Sequence, residues 1–97
     1  MADLGFAAKF CPVVVSRYDS DAPRALIVYV PITTQHRGIA YEVVLPPSRF
    51  LKTGSVANVQ GIASLPTVRL DRKIGVLPVE TMNSIKLTIA WALELDR

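Results

Sequence analysis

The sequence predicts a mainly β domain, in which short strands form a small barrel and a single α-helix follows at the C-terminal end. Short segments rich in β-branched residues are separated by closely spaced turn residues, a pattern that favours a barrel over parallel βαβ units. One long segment without Gly or Pro begins after Pro78 and has the periodicity of a helix. Because 97 residues leave room for one hydrophobic core, we expect residues 1–97 to form a single domain.

The predicted strands follow one another along the chain before the helix. Residues 12–17 are β-branched and lead into a turn, whereas residues 25–33 are apolar on both faces and should form a central, buried strand. Residues 41–45 form a third strand, which ends where two prolines remove the N–H groups that a ladder needs. The remaining predicted elements are a basic loop at 48–54, a half-buried strand at 56–62, one helical turn at 67–73 and a closing strand at 74–77.

The predicted helix covers residues 78–95. Proline suits its first turn, where Glu80 lies against the positive end of the helix dipole. Helical spacing places one apolar stripe on the open end of the barrel, and its members are Met82, Ile85, Ile89, Ala92 and Leu93. The opposite stripe contains Leu87, Trp91 and Leu95, which predicts a homodimer interface on the outer face. The alternative is that loops of the same chain cover this stripe.

The composition indicates a soluble cytoplasmic protein with a polyanionic partner. Cys11 is the single cysteine, which excludes an intrachain disulfide and fits a reducing compartment, and the chain has no cluster of zinc ligands. The apolar runs are far shorter than the ~20 residues that cross a bilayer, and no signal peptide is recognisable. The net charge of +3 and the pI near 9.4 favour nucleic acid as a partner, although such a small excess of charge is weak support.

Polar side chains follow the central predicted strand at the point where it ends. Residues 30–38 read Val-Pro-Ile-Thr-Thr-Gln-His-Arg-Gly, and residues 41–45 then read Tyr-Glu-Val-Val-Leu. This order resembles the PemK/MazF family of ribosome-independent endoribonuclease toxins, which belong to type II toxin-antitoxin systems. Residues 12–16, 55–60 and 72–77 also resemble segments of that family, so the resemblance extends over most of the chain.

The resemblance implies an SH3-like barrel with a C-terminal helix, usually dimeric, and an acidic antitoxin protein as partner. It also implies an mRNA interferase, a hydrolase that binds and cleaves single-stranded RNA without a metal or other cofactor and leaves a 2′,3′-cyclic phosphate. Thr33 matches the catalytic threonine of the family. A hydroxyl there could stabilise the phosphate as it gains negative charge. Without the resemblance, the simpler interpretation of Thr33 is a strand-end residue whose hydroxyl binds the backbone.

The N-terminal part of the chain departs from the family pattern. Cys11 stands where the family carries its catalytic arginine, and a neutral thiol lacks the charge and the fixed donors of a guanidinium, which argues against strong activity. The simplest interpretation of Cys11 is a small buried side chain. Residues 1–10 look like a shortened segment that lacks most of the family's first strand. An edge left open in this way needs a partner chain or a rearranged barrel, unless the sequence is itself a shortened piece.

Other basic and polar residues are candidate RNA contacts. Lys9 should point the same way as Cys11 on an extended chain. His36 could act as acid or base, although its simpler interpretation is a solvated turn residue. Arg37 and Arg17 could bind phosphate or could equally be solvated surface residues. The remaining candidates are Thr34, Gln35 and Gln60, of which Gln60 could read a base edge or form only a hydrogen bond at the barrel rim.

Two other functions remain open at this point. The chain could be a noncatalytic member of the same family that binds an antitoxin peptide, nucleic acid or an intact relative. It could also be an SH3-like peptide-binding module unrelated to toxins, which would need an aromatic-lined groove for a Pro-rich ligand. The chain offers only three Phe, three Tyr and one Trp for such a groove.

Overall fold

The computed structural model describes residues 3–7, 12–16, 26–66 and 70–96. Within these residues, seven strands precede one α-helix, and a short 3-10 helix at Val59–Gly61 lies between the fifth and sixth strands. The bounds are β1 (Asp3–Ala7), β2 (Pro12–Val14), β3 (Leu26–Thr33), β4 (Glu42–Val44), β5 (Val56–Asn58), β6 (Ala63–Pro66), β7 (Leu70–Val76) and α1 (Val79–Ala92).

The strands pair in the order β4-β5-β3-β2-β1-β7, and β6 pairs with β3 beside this path. All the pairs between strands are antiparallel. The mainly β architecture with a C-terminal helix is therefore confirmed. The sequence also predicts that the sheet closes into a barrel. Within the described residues it does not close, because the strand pairing runs as an open path with β4 and β7 at its two ends.

The N-terminal segment contains a strand, although the sequence predicts that most of the first strand is absent. Asp3–Ala7 forms β1, which pairs with β2 on one side and with β7 on the other. The five residues of β1 pair with the seven residues of β7. Two register shifts between the strands accommodate this difference in length. The exposed edge expected beside β2 is thus filled by the chain itself.

The long strand β3 is the centre of the sheet, as predicted. Its first half pairs with β6, its middle with β2 and its last two residues, Ile32 and Thr33, with β5. Its burial is incomplete, however. Ile27 and Val30 are buried, whereas Leu26 and Val28, in the first half of the strand, remain exposed.

The segment after β5 differs most from the predicted elements. The expected strand at 56–62 is only three residues long, because the Asn58 side chain accepts the N–H of Gln60 and turns the chain into the 3-10 helix. Ala63–Pro66 then forms β6, which was not predicted. The helical turn predicted at 67–73 is wrong for its second half, since Leu70–Val76 is one strand that pairs along β1; residues 67–69 lie outside the described part.

Helix α1 covers the core with the face that the sequence predicted. Met82 and Ile85 are buried, and Ile89 and Ala92 pack against the same cluster. Leu93 is an exception, because the helix ends at Ala92 and the chain turns away through Glu94, whose φ is 58°. The other buried apolar residues come from the strands and their connections, and they are Val13, Ile27, Val30, Leu45, Val56, Ala57, Val59 and Leu77. Among the described residues, no helix is long and apolar enough to cross a membrane.

Candidate functional site

Thr33 is the last residue of β3 and lies opposite Val56, the first residue of β5. The Thr33 side chain accepts a hydrogen bond through Oγ1 from the backbone N–H of Gln35, at 3.0 Å. The hydroxyl is thus tied to the backbone, as the simpler interpretation of this residue predicts. Accepting this bond uses a lone pair of Oγ1 and leaves the hydroxyl proton to donate. The turn therefore orients Thr33 and still allows it to donate to a phosphate oxygen.

The residues after Thr33 form an exposed loop, residues 34–39, which we call the rim loop. It contains four of the predicted RNA contacts, namely Thr34, Gln35, His36 and Arg37, and every one of them is exposed. The His36 N–H donates to the Thr34 carbonyl at 3.1 Å, which makes the start of the loop tight. Gly38 has a φ of 71°, a value that L residues with side chains rarely adopt. The structure thus places these four exposed polar residues directly after the end of β3.

One carboxylate holds the far end of the rim loop. Glu42, the first residue of β4, accepts the N–H of Gly38 at 2.8 Å and that of Ile39 at 3.3 Å through Oε1. The N–H of Arg37 lies 3.1 Å from both Oε1 and Oε2. The Glu42 side chain is only 2% exposed, while the His36 side chain beside it is 51% exposed. The His36 Nε2 lies 3.9 Å from Glu42 Oε1, which is beyond hydrogen-bond length.

The charge of Glu42 is stabilised by this arrangement. Burial of the carboxylate disfavours ionisation, but three backbone N–H donors and the nearby imidazole outweigh that effect, so the pKa of Glu42 lies below its ordinary value of 4.5. Sequence reasoning gave Glu42 no role at the site. The available signal was an acidic residue at the start of a strand, directly after a basic-Gly turn.

Gln60 lies apart from Thr33. The strand registers place Thr33 beside the first residue of β5, whereas Gln60 follows the last residue of that strand, in the 3-10 helix. Its side chain is exposed, and its neighbour Val59 donates a backbone hydrogen bond to the Tyr41 carbonyl at 2.9 Å. Gln60 therefore lies near the chain that follows the rim loop, at the opposite end of β5 from Thr33.

Three of the predicted site residues, Lys9, Cys11 and Arg17, lie outside the described residues. The strand that follows Cys11 is described, however. Pro12 pairs with Pro31, which precedes Thr33 by two residues on β3. The sheet register therefore places the start of β2 beside the part of β3 that leads to Thr33.

The outer face of α1 is exposed where the sequence predicted an interface. Leu87 is 71% and Leu95 70% exposed, and Trp91 is 45% exposed. The Trp91 ring packs against the Tyr41 ring, with 5.0 Å between centroids. A groove of about 430 Å³ runs beside the C-terminal part of the helix, and its apolar lining includes Val28, Ile89 and Leu95. Part of Trp91 is thus covered by the chain itself, as the alternative prediction has it, while the two leucines stay exposed.

Comparison with known proteins agrees with this architecture. Residues 5–93 match the model of the family described as PemK-like, MazF-like toxin of type II toxin-antitoxin system. Comparison by sequence with curated proteins finds no match. The fold is similar to that of the Mycobacterium tuberculosis toxin MazF-mt6, with a TM-score of 0.84 and 24% identity over 98% of this chain and 99% of the other.

Two further solved structures are similar at higher identity. One is an endoribonuclease in complex with its cognate antitoxin from a mycobacterial species, with a TM-score of 0.80 and 29% identity over 99% of this chain and 94% of the other. The second is an endoribonuclease from a mycobacterial species, with a TM-score of 0.81 and 30% identity over 98% of this chain and 90% of the other.

Proposed function

The chain belongs to the family of PemK-like, MazF-like toxins of type II toxin-antitoxin systems, and on this premise we propose that it is an endoribonuclease that cleaves single-stranded RNA. In the proposed reaction the 2′-hydroxyl attacks the adjacent phosphorus, the bond to the 5′-oxygen breaks and a 2′,3′-cyclic phosphate remains. The 2′-hydroxyl loses its proton and the 5′-oxygen gains one. The protein has to stabilise the negative charge that the phosphate gains on the way.

The position of Thr33 is the observation that carries this proposal. Its hydroxyl is oriented by the Gln35 N–H at the end of β3, directly beside the exposed rim loop. A phosphate that accepts the Thr33 proton would lie beside the start of the rim loop, the segment that also carries His36 and Arg37. The net charge of +3 supports binding of a polyanion, and the similarity to two mycobacterial endoribonucleases supports RNA as that polyanion.

Cys11 limits the expected rate. The residue before Pro12 in the family pattern is the catalytic arginine, and a thiol cannot replace its charge or its donors. Lys9 and Arg17 are the basic residues nearest to Cys11 in the sequence, and either one would supply only part of the lost stabilisation. We therefore propose weak cleavage by this chain, in which Thr33 acts on the phosphate and Cys11 occupies the arginine position.

A cleavage assay on long unstructured RNA tests the proposal. Thr33→Ala should abolish the cleavage, whereas Ser64→Ala, which removes an exposed hydroxyl from β6 opposite Val28, should leave it unchanged. Cys11→Arg should increase cleavage and arrest growth when expressed, because it restores the guanidinium. The absence of any cleavage that depends on Thr33, in both the parent protein and Cys11→Arg, would refute the enzymatic function.

A noncatalytic family member is the second candidate, and Cys11 is the observation that favours it. Such a protein would bind an acidic antitoxin peptide across the basic surface, as one of the similar endoribonucleases is found with its cognate antitoxin, or would pair with an intact relative. Copurification with a small acidic protein, together with no RNA cleavage, would favour this function over the first.

The proposal includes a homodimer in the cytoplasm. Leu87, Trp91 and Leu95 would form its interface, supported by their exposure and by the apolar groove that continues from Leu95. The cytoplasmic location is supported by the single cysteine, which requires no oxidising compartment.

A further inference from the structure

We propose that Glu42 is a positioning residue of the RNA site, which fixes the rim loop so that side chains rather than backbone amides meet the phosphates. This inference rests on the proposed RNA-binding function and deepens it. Glu42 itself would not touch the RNA. It would act through the loop, and mainly through Arg37.

The contacts of Glu42 tie the loop to the sheet. Its carboxylate accepts consecutive N–H groups from Arg37, Gly38 and Ile39, at distances between 2.8 and 3.3 Å. Hydrogen bonds to a charged acceptor are stronger than those between neutral groups. Glu42 is in turn held by the sheet, because it is paired with Asn58 of β5 and starts the strand that leads to buried Leu45.

The same contacts decide which groups of the loop remain for a ligand. Successive N–H groups around a left-handed residue such as Gly38 form a concave anion site. Here the site is filled by the chain's own carboxylate, so an RNA phosphate cannot use these amides. The exposed His36 and Arg37 side chains remain, and His36 lies too far from Glu42 to share a hydrogen bond with it.

Positioning and simple electrostatics predict opposite effects for the loss of this charge. Glu42 is an anion beside a site for another anion, so its removal should strengthen RNA binding if charge alone matters. If Glu42 shapes the loop, its removal should weaken binding. Glu42→Gln keeps the size of the side chain but removes its charge. One carboxylate oxygen becomes an NH₂ group, which cannot accept hydrogen bonds from the loop N–H groups. A single oxygen then remains to accept from three of them.

Binding of a fluorescent 2′-O-methyl oligonucleotide, measured by anisotropy, separates these predictions. Such a strand has no free 2′-hydroxyl, so binding is read without cleavage. Glu42→Gln should raise the Kd about fivefold or more. The control is Glu80→Gln, which removes one exposed negative charge from the first turn of α1 and should leave the Kd unchanged or slightly lower. A Glu42→Gln variant that binds as tightly as Glu80→Gln would overturn the inference.

A double-mutant cycle with Arg37→Ala distinguishes positioning from a general loss of structure. If Glu42 acts by placing Arg37, the double variant should bind as weakly as Arg37→Ala alone, whereas independent effects would multiply. Should Glu42→Gln fail to fold, the same cycle is run with Glu42→Asp, which keeps the charge on a shorter side chain. If the increases in Kd caused by Glu42→Asp and Arg37→Ala then multiply in the double variant, Glu42 does not act by placing Arg37. If the parent protein binds no oligonucleotide, the proposed function falls as well, whereas binding that is insensitive to Glu42 refutes only this inference.

Discussion

At two glycines, the loss of stability caused by an added methyl group should depend on which side chain that group contacts. A Cβ added to Gly61 would lie 2.7 Å from Cγ of Pro31, and one added to Gly75 would lie 2.7 Å from Cε2 of Phe50. The proline ring is fixed to its backbone in the central strand, whereas the Phe50 side chain is 46% exposed and can turn into solvent.

We therefore expect Gly61→Ala to lower the free energy of unfolding by about 1–3 kcal/mol, the usual cost of overpacking. Gly75→Ala should cost less, because Phe50 can move and alanine is less flexible than glycine in the unfolded chain. Urea denaturation of both variants measures the difference. Equal losses would mean that the contact with Pro31 relaxes as easily as the contact with Phe50.

Glu42 should make the stability of the protein depend on pH in the acid range. Its pKa is lower in the folded state than its ordinary value of 4.5, so its contribution is fully present above that value and is lost as the pH falls through the folded pKa. Glu42→Gln resembles the protonated residue. The difference in unfolding free energy between parent and variant should be constant near neutral pH and shrink as the pH falls below 4.5 toward the lower folded-state pKa. A difference that persists unchanged in acid would contradict this.

At the scale of single residues, sequence reasoning succeeded where a short pattern determines the local backbone. The sequence predicts Thr33 at a strand end beside polar residues, and the structure has it there. Glu42 was overlooked because its role depends on a loop that folds back onto the strand after it. The order of residues along the chain does not show which backbone N–H groups a carboxylate will contact once the loop has folded.

Among the elements, α1 offers the clearest separation between a core contact and an exposed position. Ile85 is fully buried in the middle of the helix, whereas Val79 at its start is 71% exposed. Ile85→Ala should destabilise the protein by about 2–5 kcal/mol because it leaves a cavity in the core. Val79→Ala should change the stability by less than about 0.5 kcal/mol. Chemical denaturation of both variants tests this, and a similar loss at both positions would mean that the helix is not anchored through its inner face.

The elements that were predicted correctly carry their own signals. The β-branched apolar run of β3 is long for a strand, and the apolar stripe of α1 matches the helical period. β6 and the first part of β7 are not predicted as strands, because both depend on partners. Leu70–Val76 is held as a strand by β1, which is distant in the sequence, and the 3-10 helix is formed by one side chain, that of Asn58.

For the molecule as a whole, the proposed dimer makes the oligomeric state testable. Trp91→Ala should shift the protein toward the monomer in sedimentation velocity, because it removes the largest side chain of the proposed interface. Leu87→Ala should act in the same direction without disturbing the contact between Trp91 and Tyr41. Val79→Ala lies on the same helix outside the proposed interface and should leave the sedimentation unchanged. An unaltered oligomeric state in both interface variants would refute the proposed interface.

The register of β3 links the folding of the core to the chemistry at its end. Val30 is fully buried on this strand, and Thr33 follows it by three residues on the same continuous strand. Because side chains alternate between faces, a slip by one residue would turn Thr33 to the wrong face and remove Val30 from the core in the same step. A misfolded copy would therefore be harmless as well as unstable. If RNA cleavage through Thr33 is the toxic event, the cell is exposed to it only from the moment when a newly synthesised chain has folded correctly.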